Sequence, residues 1–107
     1  MNKIKPGSLD WVSGKVAGFY GKDFINLNNG SVKLVKISPH HKYPIHHHPE
    51  KTEYAYVLKG SPEFFIDQNH FNSEAGDFFI FPVNCSHAIE NNTNQECQLL
   101  IGAIKNQ

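Results

Sequence analysis

The sequence lacks the features of a nucleic-acid or membrane protein. No apolar run approaches the roughly 18–20 residues of a spanning helix. Lys and Arg together number ten, Asp and Glu ten, so the formal net charge is zero. No basic run or stripe stands out, and phosphate neutralisation needs clustered Lys and Arg. Neither nucleic acid nor membrane is therefore an expected partner. Cysteine is scarce, with only Cys85 and Cys97, and neither has zinc-finger spacing. The first residues, Met1-Asn2-Lys3-Ile4-Lys5-Pro6-Gly7, lack the apolar core of an export signal. A cytoplasmic protein is the expectation, and there two thiols are more often free than bridged. No window of useful length shows a 3.6-residue apolar period. Internal repeats, low-complexity tracts and linkers are also missing. At 107 residues the chain has room for one domain, 1–107, with a small core.

What is present is strand-like almost throughout. Phe, Ile, Val and Tyr come in short runs punctuated by Gly, Pro, Asn and Ser. The runs predict strands over 9–16, 23–27, 31–38, 54–58, 77–81, 87–91 and 96–104. Segments 63–67 and 71–74 read as a hairpin around Gln68-Asn69-His70. Asn28-Asn29-Gly30 is a strong turn signal. Pro39 and Pro44 bracket a stretch expected to be irregular. Strands spaced by roughly ten residues imply an antiparallel sandwich or barrel. Connections this short cannot hold the crossover helices of a parallel sheet.

One segment carries a metal-ligand pattern. His46-His47-His48 is followed after four residues by Glu53, and Gly60 closes the run. A further candidate, His87, lies downstream. Side chains at i and i+2 of a strand share a face, so His46 and His48 are expected to point together and His47 away. A carboxylate aimed into an apolar interior is costly unless it is paired or metal-bound. Imidazole nitrogens with one carboxylate suit a divalent transition ion. The spacing alone is only moderately specific. An isolated histidine is usually structural or exposed, and three adjacent ones can bind metal adventitiously on a surface.

The two segments together resemble the two motifs of the cupin superfamily, most closely its small single-domain members with a conserved barrel. The first motif reads G-x5-HxH-x(3,4)-E-x6-G, matched by His46, His48, Glu53 and Gly60. The second reads G-x5-P-x-G-x2-H-x3-N, matched by Gly76, Pro82, His87 and Asn91. Two glycines of the pattern are replaced, by His40 and by Asn84. Asn tolerates the left-handed backbone well; His40 is harder to accommodate. The resemblance implies an all-β, cupin-type antiparallel β-barrel, also described as a double-stranded β-helix or jelly roll. It implies that His46, His48, Glu53 and His87 converge on one divalent ion per chain. Fe, Mn, Ni, Cu, Co and Zn all fit such ligands, and affinity alone does not choose among them.

The resemblance also implies a small metalloenzyme, a dioxygenase, isomerase or lyase among other chemistries, with oxygenase-like chemistry slightly favoured. Glu53 is its candidate base. The partners expected are a small-molecule substrate and a second copy of the chain, the homodimer formed with segment 3–12 on the partner's sheet. Trp11 and Tyr20 are expected near that interface. The alternative is a non-catalytic ligand- or zinc-binding sensor module acting through a partner protein. No cluster of cationic side chains is expected inside the barrel, so a neutral or enolisable substrate fits better than a phosphorylated sugar. Cys85 is expected to be a small hydrophobe, His40 and His41 to lie in an exposed loop, and His70 to be an inert turn residue.

Overall fold

The computed structural model describes residues 2–106. Its ten strands are β1 (Val12–Ser13), β2 (Phe19–Asn26), β3 (Gly30–Ile37), β4 (His41–His46), β5 (Lys51–Lys59), β6 (Glu63–Ile66), β7 (Asn69–Phe71), β8 (Phe78–Phe81), β9 (His87–Asn91) and β10 (Cys97–Lys105). A single 3-10 turn, Pro6–Ser8, precedes them. Every strand pair is antiparallel. Six strands form one sheet in the order β1-β2-β3-β10-β5-β8, and four form another in the order β4-β9-β6-β7. The fold is therefore the expected all-β jelly roll, with its hydrogen bonds in two sheets rather than one continuous closure.

Alternation along the strands builds the core between the sheets. Val35 and Ile37 of β3, Ala55 and Val57 of β5, and Cys97 and Leu99 of β10 point inward from the larger sheet. Phe64 and Ile89 answer from the smaller one. The Phe64 ring stacks on Phe79 with centroids 4.0 Å apart, which joins the two sheets through aromatic contact. The same alternation continues along β5 to Glu53, β10 to Ala103 and β3 to Ser31, which are paired across the sheet. This end of the interior holds the polar side chains.

Several expectations need correction. The first strand is Val12–Ser13 alone, because Pro6 and Gly7 start a turn and Gly14 closes back on the Phe19 carbonyl. The second begins at Phe19 rather than Asp23. The stretch bracketed by prolines is the strand β4, at the edge of its sheet. Pro44 falls where its register with β9 shifts, between Tyr43 and His46, a place where a missing N–H is tolerated. The β6–β7 turn is Asp67-Gln68, with Asp67 at φ 53°, so His70 lies within β7.

Candidate metal centre

His46 ends β4 and His87 begins β9, and the two residues are directly paired across that ladder. Glu53 lies near the start of β5, paired with Phe81 of β8. His48 comes from the β4–β5 connection rather than from a strand. Simple strand alternation therefore does not explain its orientation. The N–H of Asn84 donates to the His48 carbonyl at 2.9 Å and ties that connection to the turn after Pro82. One ligand atom from each of His46, His48, Glu53 and His87 lies within 4.8 Å of all the others.

Backbone carbonyls set the ring tautomers. Nδ1–H of His46 donates to the Pro44 carbonyl at 2.9 Å, and Nδ1–H of His87 to the Cys85 carbonyl at 3.0 Å. Each Nε2 then keeps its lone pair for the centre. Nε2 of His87 lies 3.1 Å from Oε1 of Glu53, and Nε2 of His48 is at the same distance from that oxygen. In that tautomer His87 and Glu53 face each other lone pair to lone pair. A shared cation, either a proton or a metal ion, resolves this arrangement. The donor chemistry thus fits a divalent transition ion. Phe81 stacks flat on His87, centroids 4.3 Å apart, and backs the ring against the core.

The charges are consistent with this picture. Burial holds the His46 imidazole below its ordinary value, so the ring favours the neutral, ligating form. Burial opposes ionisation of Glu53. When a proton is the shared cation, the hydrogen bond from His87 and the neighbouring charge of His48 and Lys51 outweigh it, and the carboxyl lies below its ordinary value. His87 is almost fully buried, whereas His48 has 30% of its side chain exposed. The centre is closed on the β9 side and open on the His48 side.

The other candidates are separated from it. His47 is exposed. His40 and His41 lie at the far end of β4, with His40 bonded to Asn94 at 2.6 Å and His41 to the Pro39 carbonyl at 2.9 Å. His70 is stacked on Phe65 and bonded to Glu63 at 2.7 Å, so it is partnered rather than inert. Cys85 is buried, and burial raises its thiol above the ordinary value. Both cysteines are free. All four positions where the motifs ask for glycine have positive φ: His40 at 60°, Gly60 at 84°, Gly76 at 98° and Asn84 at 61°. The two replacements thus adopt the backbone conformation that glycine supplies elsewhere. One residue of the site was missed. Nζ of Lys51 lies 3.9 Å from Oε2 of Glu53. The signal was available, because Lys51 stands two before Glu53 on the same strand face.

Comparison with known proteins agrees with this geometry. A family model described as "Cupin domain" matches residues 33–102, which include all four ligand positions. No curated protein sequence matches the chain. Among solved structures, the cupin domain of Schizosaccharomyces pombe Cnp3 superposes with TM-score 0.87 at 12% identity, covering 98% of this chain and 74% of that one. A predicted oxalate decarboxylase from Thermotoga maritima gives 0.86 at 20% identity, covering 96% and 98%. The polyketide cyclase RemF from Streptomyces resistomycificus gives 0.85 at 18%, covering 97% and 79%. Identities this low speak for the fold alone, and proteins of this fold differ widely in chemistry. With most of its length matched by the family model, and with both motifs in register on one cluster of side chains, the chain belongs to the cupin family.

Proposed function

We propose that this cupin is a metal-dependent enzyme acting on a small organic molecule, with His46, His48, Glu53 and His87 holding one divalent transition ion. The observation that carries the reading is the asymmetry of the cluster. His87 has 4% of its side chain exposed and Glu53 16%, while His48 has 30%. A structural metal site is normally closed by protein ligands on all sides, whereas a catalytic one keeps a reachable position. An ion held here supplies Lewis-acid or redox chemistry.

The protein's own groups have distinct parts in this proposal. The carbonyls of Pro44 and Cys85 hold two imidazoles in the ligating tautomer. Phe81 and Tyr43 wall the inner side with aromatic rings against His87 and His46 and keep water away from that side. Glu53 turns Oε1 towards His48 and His87 and leaves Oε2 facing Lys51. Its second oxygen is the proposed proton acceptor, which makes Glu53 both ligand and base. Uncharged aromatic walls suit dioxygen and an enolisable substrate, so oxygen-dependent turnover is the first activity to assay.

The test is metal content, measured by inductively coupled plasma mass spectrometry on protein purified without a tag or chelators. Oxygen uptake with diketone and phenolic substrates is measured alongside. About one equivalent of Fe, Mn, Ni, Co or Cu per chain, together with turnover, supports the enzyme. Stoichiometric zinc without turnover transfers the reading to a ligand-binding sensor. No uptake of any of these ions after reconstitution refutes the centre.

A further inference from the structure

The strand ends beside Glu53 carry lysine rather than only apolar residues. Lys51 of β5 pairs with Lys105 of β10, in step with the Glu53–Ala103 pair; Lys51 is half-buried and Lys105 exposed. They line a cavity of about 260 Å³ with Glu50, Ser31, Ala103 and the 26–30 turn. Ala103 lines the cavity and is paired across the sheet with Glu53, which ties the cavity to the strand that carries this ligand. Ser31 and Ala103 are small, and the room between β3 and β5 comes from their size. The volume lies below the roughly 300 Å³ at which drug-sized pockets begin, so it suits a molecule of a few carbons.

The charge at this end favours an anion. The chain contains no arginine, so lysine is its only permanently cationic side chain. Lys51, Lys105 and Glu50 are the charged residues of the cavity lining. Oε2 of Glu53 lies 3.9 Å from the Lys51 ammonium. That distance is too long for a normal hydrogen bond, and Lys51 keeps donors free for another acceptor. Three neutral imidazoles and one carboxylate also leave a divalent ion with surplus positive charge, which adds to the field at the mouth.

Resting on the enzyme proposed above, we infer that its substrate is a small organic acid. Its carboxylate is anchored by the Lys51 ammonium at this cavity, and its other end reaches the centre. This replaces the neutral substrate that the sequence suggested. Lys51 is a substrate-binding residue in this scheme, and Lys105 contributes long-range attraction.

The experiment compares 2-oxobutanoate with the neutral butane-2,3-dione, using zinc-loaded protein and isothermal titration calorimetry. Wild-type protein is expected to bind the acid more tightly than the dione. Lys51→Met should weaken the acid by about tenfold or more, the contribution of one charge-assisted hydrogen bond. It should leave dione binding and metal content unchanged, and Lys51→Arg should recover part of the loss. Equal binding of acid and dione by wild type overturns the inference, as does unchanged acid binding in Lys51→Met. If wild-type protein takes up no metal, the centre fails, and the anchor is read separately from NMR shifts of metal-free protein. Acid-induced shifts that vanish in Lys51→Met support it there, and their absence from wild type overturns it.

Discussion

Glu53 receives two imidazoles on one oxygen and faces an ammonium with the other, and each neighbour has a separable consequence. His48→Ala and His87→Ala each remove one ligand from the cluster and are expected to abolish tight metal uptake while leaving a folded sheet pair. His47→Ala, whose ring is exposed outside the cluster, should keep most of the metal. Metal analysis of the three variants checks this, and loss of metal in His47→Ala alone would mean that the neighbouring ligands are misassigned. Acid should act on the same atoms. Free histidine titrates near about pH 6.5, and protons compete with metal for Nε2. Burial lowers the His46 pKa, so the unfolded chain binds the proton more readily than the folded one. Stability of metal-free protein is therefore expected to fall as pH drops below the ordinary histidine value. The fall ends once pH passes the lower folded value. Urea melts between neutral and mildly acid pH would read this, and a midpoint that rises on acidification contradicts the sign. The four ligands were legible chiefly because their two motifs resemble those of the cupin superfamily, which implied that they converge; the spacing alone was only moderately specific. Lys51 was passed over although it stands two before Glu53, because a lysine at a strand start is ordinarily solvated.

At the level of strands and turns, one buried side chain ties the elements together. Asn91 is fully buried at the end of β9. Its Nδ2 lies 3.1, 3.2 and 2.8 Å from the carbonyls of Ile37, Ser38 and Gln95, and its Oδ1 accepts from the Thr93 N–H at 3.1 Å. It thereby joins the end of β3 to the turn before β10. Asn91→Ala leaves those groups buried without partners and should cost about 3 kcal/mol or more, with the metal ligands still present. Gly60→Ala tests the other motif position. Its φ is 84°, and an added Cβ would stand 2.7 Å from Sγ of Cys97. Left-handed backbone and overlap together should cost at least about 2 kcal/mol. Denaturant midpoints check both, and an unchanged midpoint in either variant removes its assigned role. The turns at Gly60, Gly76 and Asn84 were readable because Gly and Asn favour the positive φ found there. The strand β4 was not. Its Pro44 disfavours a central strand, and only pairing with β9 at a sheet edge makes it acceptable. β2 was read too short because Gly21 and Lys22 interrupt its apolar pattern, while in the fold Lys22 is buried and donates to the Pro6 carbonyl at 2.8 Å.

The outer face of the six-stranded sheet divides into two halves. Over β2 and β3 the chain covers itself. The Trp11 ring lies beneath the ammonium groups of Lys22 and Lys36, at 4.5 and 4.6 Å, and Lys36 also reaches Tyr20. The ring of Trp11 thus packs on the chain's own sheet, and Val12–Ser13 pairs with β2 as an edge strand. Over β10, β5 and β8, large apolar side chains remain exposed. Tyr56, Leu58, Phe78, Ile80 and Ile104 all do so, and the register places Phe78 beside Tyr56 and Ile80 beside Tyr54. The Tyr54 ring lies over Gly102, where an added Cβ would meet it at 2.3 Å, which keeps this half of the sheet low and even. A contiguous apolar face of this kind on a small protein marks an interface. We propose that a second copy covers it. A chain of zero net charge offers no long-range repulsion between copies, and an uncharged patch can meet its own two-fold image without unpaired charge. Wild-type protein is expected to run as a dimer by size-exclusion chromatography with light scattering. Ile80→Glu and Phe78→Lys, which place charge in the middle of the patch, should each shift it to monomer with metal content unchanged. Wild-type monomer, or dimers that persist in both variants, overturns this interface. A monomer that pairs only with a different protein would assign the face to that protein instead.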